Sequence, residues 1–248
     1  MLRKLLSAST GAAIAVAVLA VAMGSSALAT PRTHGATPRT NAPVFDSNNF
    51  VAVVDNTYFP LPVGRTLVYS GVKDGQSQRD TVTVTNQTKV ILGVTATVVS
   101  DVADHNGKVL ERTTDWYAQD KQGNVWYLGE DTVHFLANGK GDTTGSWEAG
   151  VNGAVPGIVM EANPQLPDAY RQEYFAGQAE DTAWIVDRGG TVTVPYRKVR
   201  NVLTTLEATR LDPGAYDQKV YGPGLGIILE QSLTGDPELA QLETVSGP

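Results

Sequence analysis

The sequence predicts an all-β protein, an antiparallel sandwich or open barrel that forms a single domain after a signal peptide and a linker. Three observations predict this fold class. β-Branched residues alternate with polar ones over residues 79–84, turn dipeptides containing glycine recur at short spacing, and no window after residue 29 carries a helical stripe of apolar residues. Short strands joined by tight turns are typical of sandwiches and barrels.

The strands follow from residue pattern. Val82 and Val84 point to one face of a strand, and Thr81 and Thr83 to the other. Residues 90–99 are β-branched, with Gly93 at an expected turn or bulge. Further strands are predicted at 191–194, 201–209 and 226–231. The turn dipeptides are Asp74-Gly75, Asn106-Gly107, Gln122-Gly123 and Asn138-Gly139.

Residues 1–29 have the pattern of an export signal. Arg3 and Lys4 precede an apolar run at 11–23, and Ala27-Leu28-Ala29 supplies a small-x-small cleavage site. The run is shorter than the roughly 18 residues that a membrane-spanning helix needs. A cleaved signal peptide, and hence a secreted or extracytoplasmic location, is therefore expected.

Residues 30–50 are predicted to be a disordered linker, which leaves 51–248 as the β domain. The sequence Ala-Thr-Pro-Arg-Thr occurs at 29–33 and again at 36–40. Such a stretch has too little apolar content to pack, and its prolines favour an extended chain. A cell-wall tether is the functional alternative to a plain spacer.

Composition excludes several function classes. The chain has no cysteine, so it has no disulfide, no thiolate metal site and no lipid-attachment cysteine, and no membrane anchor is expected. Its net charge of −7 becomes more negative once Arg3 and Lys4 are removed. Because an acidic surface repels phosphates, nucleic-acid binding is not expected. The three histidines do not form a zinc motif, and neither a nucleophile elbow nor a calcium loop is present, so no metal or cofactor is predicted.

The densest cluster of aromatic residues lies at 115–131. Two Trp-Tyr pairs, Trp116-Tyr117 and Trp126-Tyr127, flank a polar turn, so each strand sends one ring to each sheet face. One face belongs to the core. The other face is open to a ligand, such as a saccharide or an apolar molecule, or else its rings pair across the strands and fix their register.

Two more segments contribute candidate site residues. Residues 141–167 contain five glycines, three prolines, Trp147 and Glu148, as in a functional loop or a cover over one end of the barrel. Alternation places Arg171 and Glu173 on one strand face. The pair marks a pocket if that face is interior, and it is a surface ion pair if the face is exterior.

Two stretches carry a resemblance to a known group. Residues 58–64 read Tyr-Phe-Pro-Leu-Pro-Val-Gly and are followed by Leu67-Val68-Tyr69, whereas residues 221–228 read Tyr-Gly-Pro-Gly-Leu-Gly-Ile-Ile. They resemble the opening and closing strands of uncharacterised exported bacterial β-rich proteins. The resemblance covers nearly all of residues 51–233 and implies a fold and a compartment, but no activity.

These observations lead to one functional hypothesis and two alternatives. The hypothesis is a secreted, non-enzymatic binding protein for a small or extended ligand. Its expected contacts are Trp116, Tyr117, Trp126, Tyr127 and Trp147, with Glu148, Arg171 and Glu173 as polar partners. One alternative is a secreted glycan hydrolase that uses two of Asp131, Glu148 and Glu173 as acid and base or nucleophile. The other is a structural envelope or matrix protein without a concave aromatic pocket.

Overall fold

Strands make up most of the chain in the computed structural model, which describes residues 44–248. A turn of 3-10 helix at Ser47–Asn49 precedes them. No helix within the described range is long and apolar enough to span a membrane. The strands are β1 Phe50–Val51, β2 Asp55–Asn56, β3 Phe59–Pro60, β4 Thr66–Lys73, β5 Gln76–Ile91, β6 Val94–His105, β7 Lys108–Asp120, β8 Val125–Phe135, β9 Gly141–Asp142, β10 Trp147–Glu148, β11 Val155–Met160, β12 Ala169–Arg171, β13 Glu173–Tyr174, β14 Asp181–Thr193, β15 Lys198–Thr209, β16 Tyr216–Gly222, β17 Gly226–Ser232 and β18 Glu238–Ser246.

One large antiparallel sheet curls into a nearly closed barrel. Its strand order is β12-β14-β15-β16-β17-β18-β4-β5-β6-β7-β8-β11-β13, with β1 added to β7 and with β9 and β10 added to β8. Strands β2 and β3 form a separate hairpin. The two ends of this order, β12 and β13, are consecutive in the chain and are separated only by Gln172. Of the two architectures expected from the sequence, the structure is therefore the barrel.

Tight turns set the register of the β5–β6 and β6–β7 hairpins. Leu92 and Gly93 join β5 to β6 with φ angles of 50° and 81°, and Asn106 and Gly107 join β6 to β7 with 52° and 81°. Two consecutive positive φ angles match the right-handed twist of paired strands. The predicted turns at Gly93 and Asn106-Gly107 are confirmed.

Part of the expected linker is folded. The ring centroid of Phe45 lies 5.4 Å from that of Trp126, and Phe50 in β1 pairs with Asp120 in β7. The aromatic side chains therefore attach residues 44–50 to the outside of the barrel. The predicted signal peptide, residues 1–29, and residues 30–43 of the predicted linker lie outside the described residues.

The interior of the barrel combines large apolar side chains with buried charges. Tyr117, Tyr127, Leu203 and Ile228 are among the largest side chains that are fully buried. The buried charged residues include Asp80, Asp101, Asp115, Glu130, Glu173, Glu207, Glu230 and Lys219. The interior is therefore not stabilised by apolar area alone, and its polar groups require partners in a defined geometry.

Lys219 is a buried lysine that lies beside two buried glutamates in this interior. Its Nζ atom lies 2.6 Å from Glu207 Oε2 and 3.7 Å from Glu230 Oε1. Burial alone would lower the pKa of Lys219, but the two carboxylates outweigh burial and raise it. Burial raises the pKa of Glu230 despite the nearby ammonium group. Lys219 and Glu207 therefore form an ion pair that is shielded from solvent.

Replacing Lys219 by methionine should lower the free energy of unfolding by about 3–5 kcal/mol, because it leaves a buried carboxylate without its cation. Urea denaturation at neutral pH measures this. The double variant Lys219→Met, Glu207→Gln should recover part of the loss. A loss below about 1 kcal/mol in the single variant would contradict a buried ion pair.

Gly157 permits the closure of the barrel. A β-carbon at this position would lie 2.3 Å from the carbonyl oxygen of Gln172 and 2.6 Å from that of Arg171. Both atoms belong to the backbone of the connection from β12 to β13, so they cannot move away as a flexible side chain would. Only glycine therefore lets β11 approach the segment that joins the two ends of the sheet.

Gly157→Ala should destabilise the protein by about 3 kcal/mol, since the added methyl group forces the backbone of residues 171–172 to shift. Gly190→Ala in β14 is the matched control, because its nearest contact would be a side-chain oxygen of Asp187 at 3.3 Å. The control should be nearly neutral. Equal melting temperatures for the two variants would contradict the role assigned to Gly157.

Candidate functional site

The five aromatic residues singled out in the sequence are all buried. Trp116 is 7% exposed, Trp126 and Trp147 are 4% exposed, and Tyr117 and Tyr127 are 2% and 0% exposed. The rings of Tyr117 and Tyr127 stack with a centroid distance of 4.8 Å, and Trp147 meets Tyr127 edge-on at 5.3 Å. The two tyrosines therefore pair across neighbouring strands, which was one of the two alternatives left open by the sequence.

Trp126 packs against the amino-terminal segment. Its ring contacts Phe45 and Phe50, and its Nε1 atom donates a hydrogen bond of 3.0 Å to Asp120 Oδ2. The backbone amides of Gln122 and Asn124 donate to Oδ1 of the same carboxylate. Trp126 and Asp120 therefore hold the β7–β8 turn together.

Hydrogen bonds link the inward-facing aromatic residues to buried carboxylates. Tyr127 Oη lies 2.6 Å from Asp115 Oδ1 and 3.0 Å from Glu130 Oε2. Trp147 Nε1 donates to Glu173 Oε2 at 3.0 Å. Burial, reinforced by these acids, raises the pKa of Tyr127 well above its usual value, so the phenol keeps its proton as a donor. Glu173 thus lies behind Trp147 as a partner of the indole.

Arg171 and Glu173 do not share a face, contrary to the expectation from alternation. Arg171 is exposed, with its guanidinium 4.7 Å from the ring centroid of Tyr174, whereas Glu173 is fully buried. The reason is a change of strand partner at Gln172, whose amide donates to the carbonyl of Asp181. Since β12 pairs with β14 and β13 pairs with β11, the alternation of one continuous strand does not hold there.

A cleft of about 330 Å³ opens beside β8 and β10. It contains three of the eight residues predicted from the sequence: Trp116, Trp147 and Glu148. Its other lining residues are Lys89, Glu130, Asp131, Ser146, Val151, Asn152 and Phe175. Tyr117, Trp126, Tyr127, Arg171 and Glu173 do not line it. Residues 141–167, expected as a long loop, contribute β10 and the turn that follows it.

Lys89 contacts two of the other residues that line this cleft. Its Nζ atom lies 2.7 Å from Glu148 Oε2 and 3.4 Å from the ring centroid of Trp116. The side chains of Lys89 and Glu148 are 35% and 34% exposed, so the ion pair lies at the mouth of the cleft. An ammonium group over an indole face is a cation–π contact, and its bond to the carboxylate is charge-assisted.

The register of five strands brings these three side chains together. Lys89 pairs with Ala96, Trp116 pairs with Val98, and Gly129 pairs with both Trp116 and Glu148. Gly129 has a φ of 135°, and a β-carbon there would lie 2.3 Å from the carbonyl oxygen of Trp147. Glycine is therefore required for β10 to lie on β8, which places Glu148 beside Trp116.

Sequence reasoning missed Lys89. It lies 59 residues from Glu148 in the chain, and its own neighbourhood, an ordinary β-branched strand, carries no functional signal. Only the pairing of β5 with β6 and of β6 with β7 shows that it meets Trp116.

The three carboxylates proposed for a hydrolase do not all meet. Asp131 and Glu148 line the cleft, but Glu173 is buried behind Trp147. Glu148 already bonds to Lys89. Within residues 44–248, no three histidine or carboxylate side chains are grouped as metal ligands.

Comparison with known proteins finds likeness of structure only. No protein-family model matches the chain, and no curated protein matches it significantly. A Bacteroides fragilis protein described as exported, with a YmcC-like fold, superposes with a TM-score of 0.47 at 14% identity, over 77% of this chain and 100% of that one. A Parabacteroides distasonis protein described as a lipoprotein gives a TM-score of 0.40 at 11% identity, over 77% and 99%.

Trp147→Phe should destabilise the protein by about 1.5–3 kcal/mol, because it removes the indole donor to Glu173 and leaves most of the ring packing in place. Trp184→Phe is the control, since Trp184 is 36% exposed. Thermal and urea denaturation measure both. If the two variants lost equal stability, the hydrogen bond from Trp147 to Glu173 would not contribute as described.

Proposed function

We propose that the protein is an extracytoplasmic, non-enzymatic binding protein whose small ligand occupies the cleft at Trp116, Trp147 and Glu148. The pattern of residues 1–29 supports export. The single observation that carries the binding role is the cleft itself. It combines an aromatic wall with converging polar groups, in a volume at the lower end of the roughly 300–1,000 Å³ typical of ligand pockets.

The geometry favours binding over the two alternatives. A structural envelope protein predicts no concave aromatic pocket, whereas this cleft has two tryptophans in its wall. A hydrolase needs two carboxylates that flank the scissile bond, one of them carrying a proton. Here Glu173 lies outside the cleft, which leaves Asp131 and Glu148, and Glu148 is already bonded to the ammonium group of Lys89.

The test is a thermal-shift screen of the purified protein against saccharides, organic amines and fatty acids. A ligand at about 100 times its dissociation constant stabilises the fold by about 2.7 kcal/mol, which gives a measurable rise in melting temperature. Val151→Trp should abolish the shift, because Val151 lines the cleft and is 48% exposed, so the larger ring fills the entrance.

Val155→Trp is the matched control for that screen. Val155 is 40% exposed but lies outside the lining of the cleft, so the same substitution adds the same ring elsewhere. It should keep the ligand-induced shift. A shift that survives unchanged in Val151→Trp, or a flat response to every probe, would overturn the proposal.

A further inference from the structure

We infer that the ligand of this cleft is an organic cation, and that its charged group displaces the Lys89 ammonium group from between Trp116 and Glu148. This inference rests on the proposed function, because it names the class of ligand for the same cleft. Under this inference, Lys89 is a residue of the protein that competes with the ligand for the same site.

The geometry around Lys89 Nζ is that of a site for an ammonium group. The atom lies 3.4 Å from the ring centroid of Trp116 and 2.7 Å from a carboxylate oxygen of Glu148. An aromatic face beside a carboxylate is the arrangement by which proteins recognise ammonium and quaternary ammonium ligands. The cleft thus presents the two components of such a site in contact with the cation of its own lysine.

The charges that line the cleft select a cation. Three lining residues are acidic, Glu130, Asp131 and Glu148, whereas Lys89 is the basic one among them. A ligand cation that displaces Lys89 restores the pairing of Glu148 and keeps a positive charge in a cleft that the other two acids also line. The net charge of −7 on the whole chain also favours the approach of cations.

Lys89 can leave its position without unfolding the strand. Its side chain is 35% exposed, and a lysine has a flexible four-carbon stem that can turn its ammonium group into solvent. Strand β5 keeps its backbone pairing with β6 in either position of the side chain. The displaced lysine then uncovers the Trp116 ring, which is 7% exposed while Lys89 covers it.

An anionic or uncharged ligand fits the cleft less well. An anion at Lys89 would have to displace the carboxylate of Glu148 and would approach Glu130 and Asp131. A neutral ligand that stacks on Trp116 would remove the ammonium group from the ring without supplying a charge for Glu148. Both cases lose an interaction that a cation restores.

The test compares choline with its uncharged isostere 3,3-dimethylbutan-1-ol by isothermal titration calorimetry. Choline should bind at least tenfold more tightly than the isostere to the unmodified protein. Lys89→Met removes the competing charge and keeps an unbranched side chain, so choline should bind this variant at least tenfold more tightly still. Lys108→Met, at an exposed lysine of β7, is the control and should leave the affinity unchanged.

A second variant tests the carboxylate independently. Glu148→Gln should weaken choline binding at least tenfold, both with Lys89 present and with Lys89 replaced by methionine. The reason is that it removes the negative charge that pairs with the ammonium group of the ligand. Equal binding of choline and its isostere would overturn the inference. Weaker binding of choline by Lys89→Met would also overturn it, and would make Lys89 a direct contact of the ligand.

Failure of this inference can be told apart from failure of the proposed function. If a saccharide or a fatty acid stabilises the protein but not Val151→Trp, while choline binds neither the unmodified protein nor Lys89→Met, then the cleft binds a ligand of another class. If no probe gives a response that depends on Val151, both proposals are wrong.

Discussion

The chain leaves one end of its sheet as β12 and enters the other end as β13 across Gln172. The backbone N–H of Gln172 donates to the carbonyl oxygen of Asp181, and its side-chain Nε2 donates to Glu207 Oε1. The crossing is therefore attached to the barrel by both backbone and side chain. Closure there places Glu173 behind Trp147, and the indole bond to Glu173 holds β10 against β8. Glu148, the next residue, then faces Lys89. The cleft therefore depends on the closure.

The interior polar groups add specificity to a fold that apolar burial alone would leave less defined. Tyr127 bonds to Asp115, and Lys219 bonds to Glu207, in each case between neighbouring strands of the sheet. A shift of one residue in either pairing would turn these side chains to the opposite face and leave charges buried without partners. These buried pairs thus disfavour a register shifted by one residue, while the apolar side chains around them supply most of the driving force.

Local signals in the sequence predicted the all-β fold class and several of its strands and turns, but they could not predict contacts between distant strands. Gly93 and the Asn106-Gly107 pair specify turns through their own backbone preferences, so these hairpins could be predicted. The common face of Arg171 and Glu173 was a wrong prediction, because alternation assumes one continuous strand and the chain changes partners between them. Burial of the Trp-Tyr pairs was one of two open alternatives. Lys89 could not be predicted, since its role arises only from the register of β5, β6 and β7.

An ion pair at the mouth of a cleft contributes little to stability, since solvent screens it and two long side chains lose freedom. Lys89 and Glu148 are each about one-third exposed, so the same cost applies to them. What distinguishes this pair is the indole of Trp116, which lies under the ammonium group and is otherwise almost fully enclosed. Removing the lysine would expose an aromatic face and a carboxylate side by side. The inferred cationic ligand would cover both, and the flexible stem of Lys89 would let its ammonium group exchange places with that ligand.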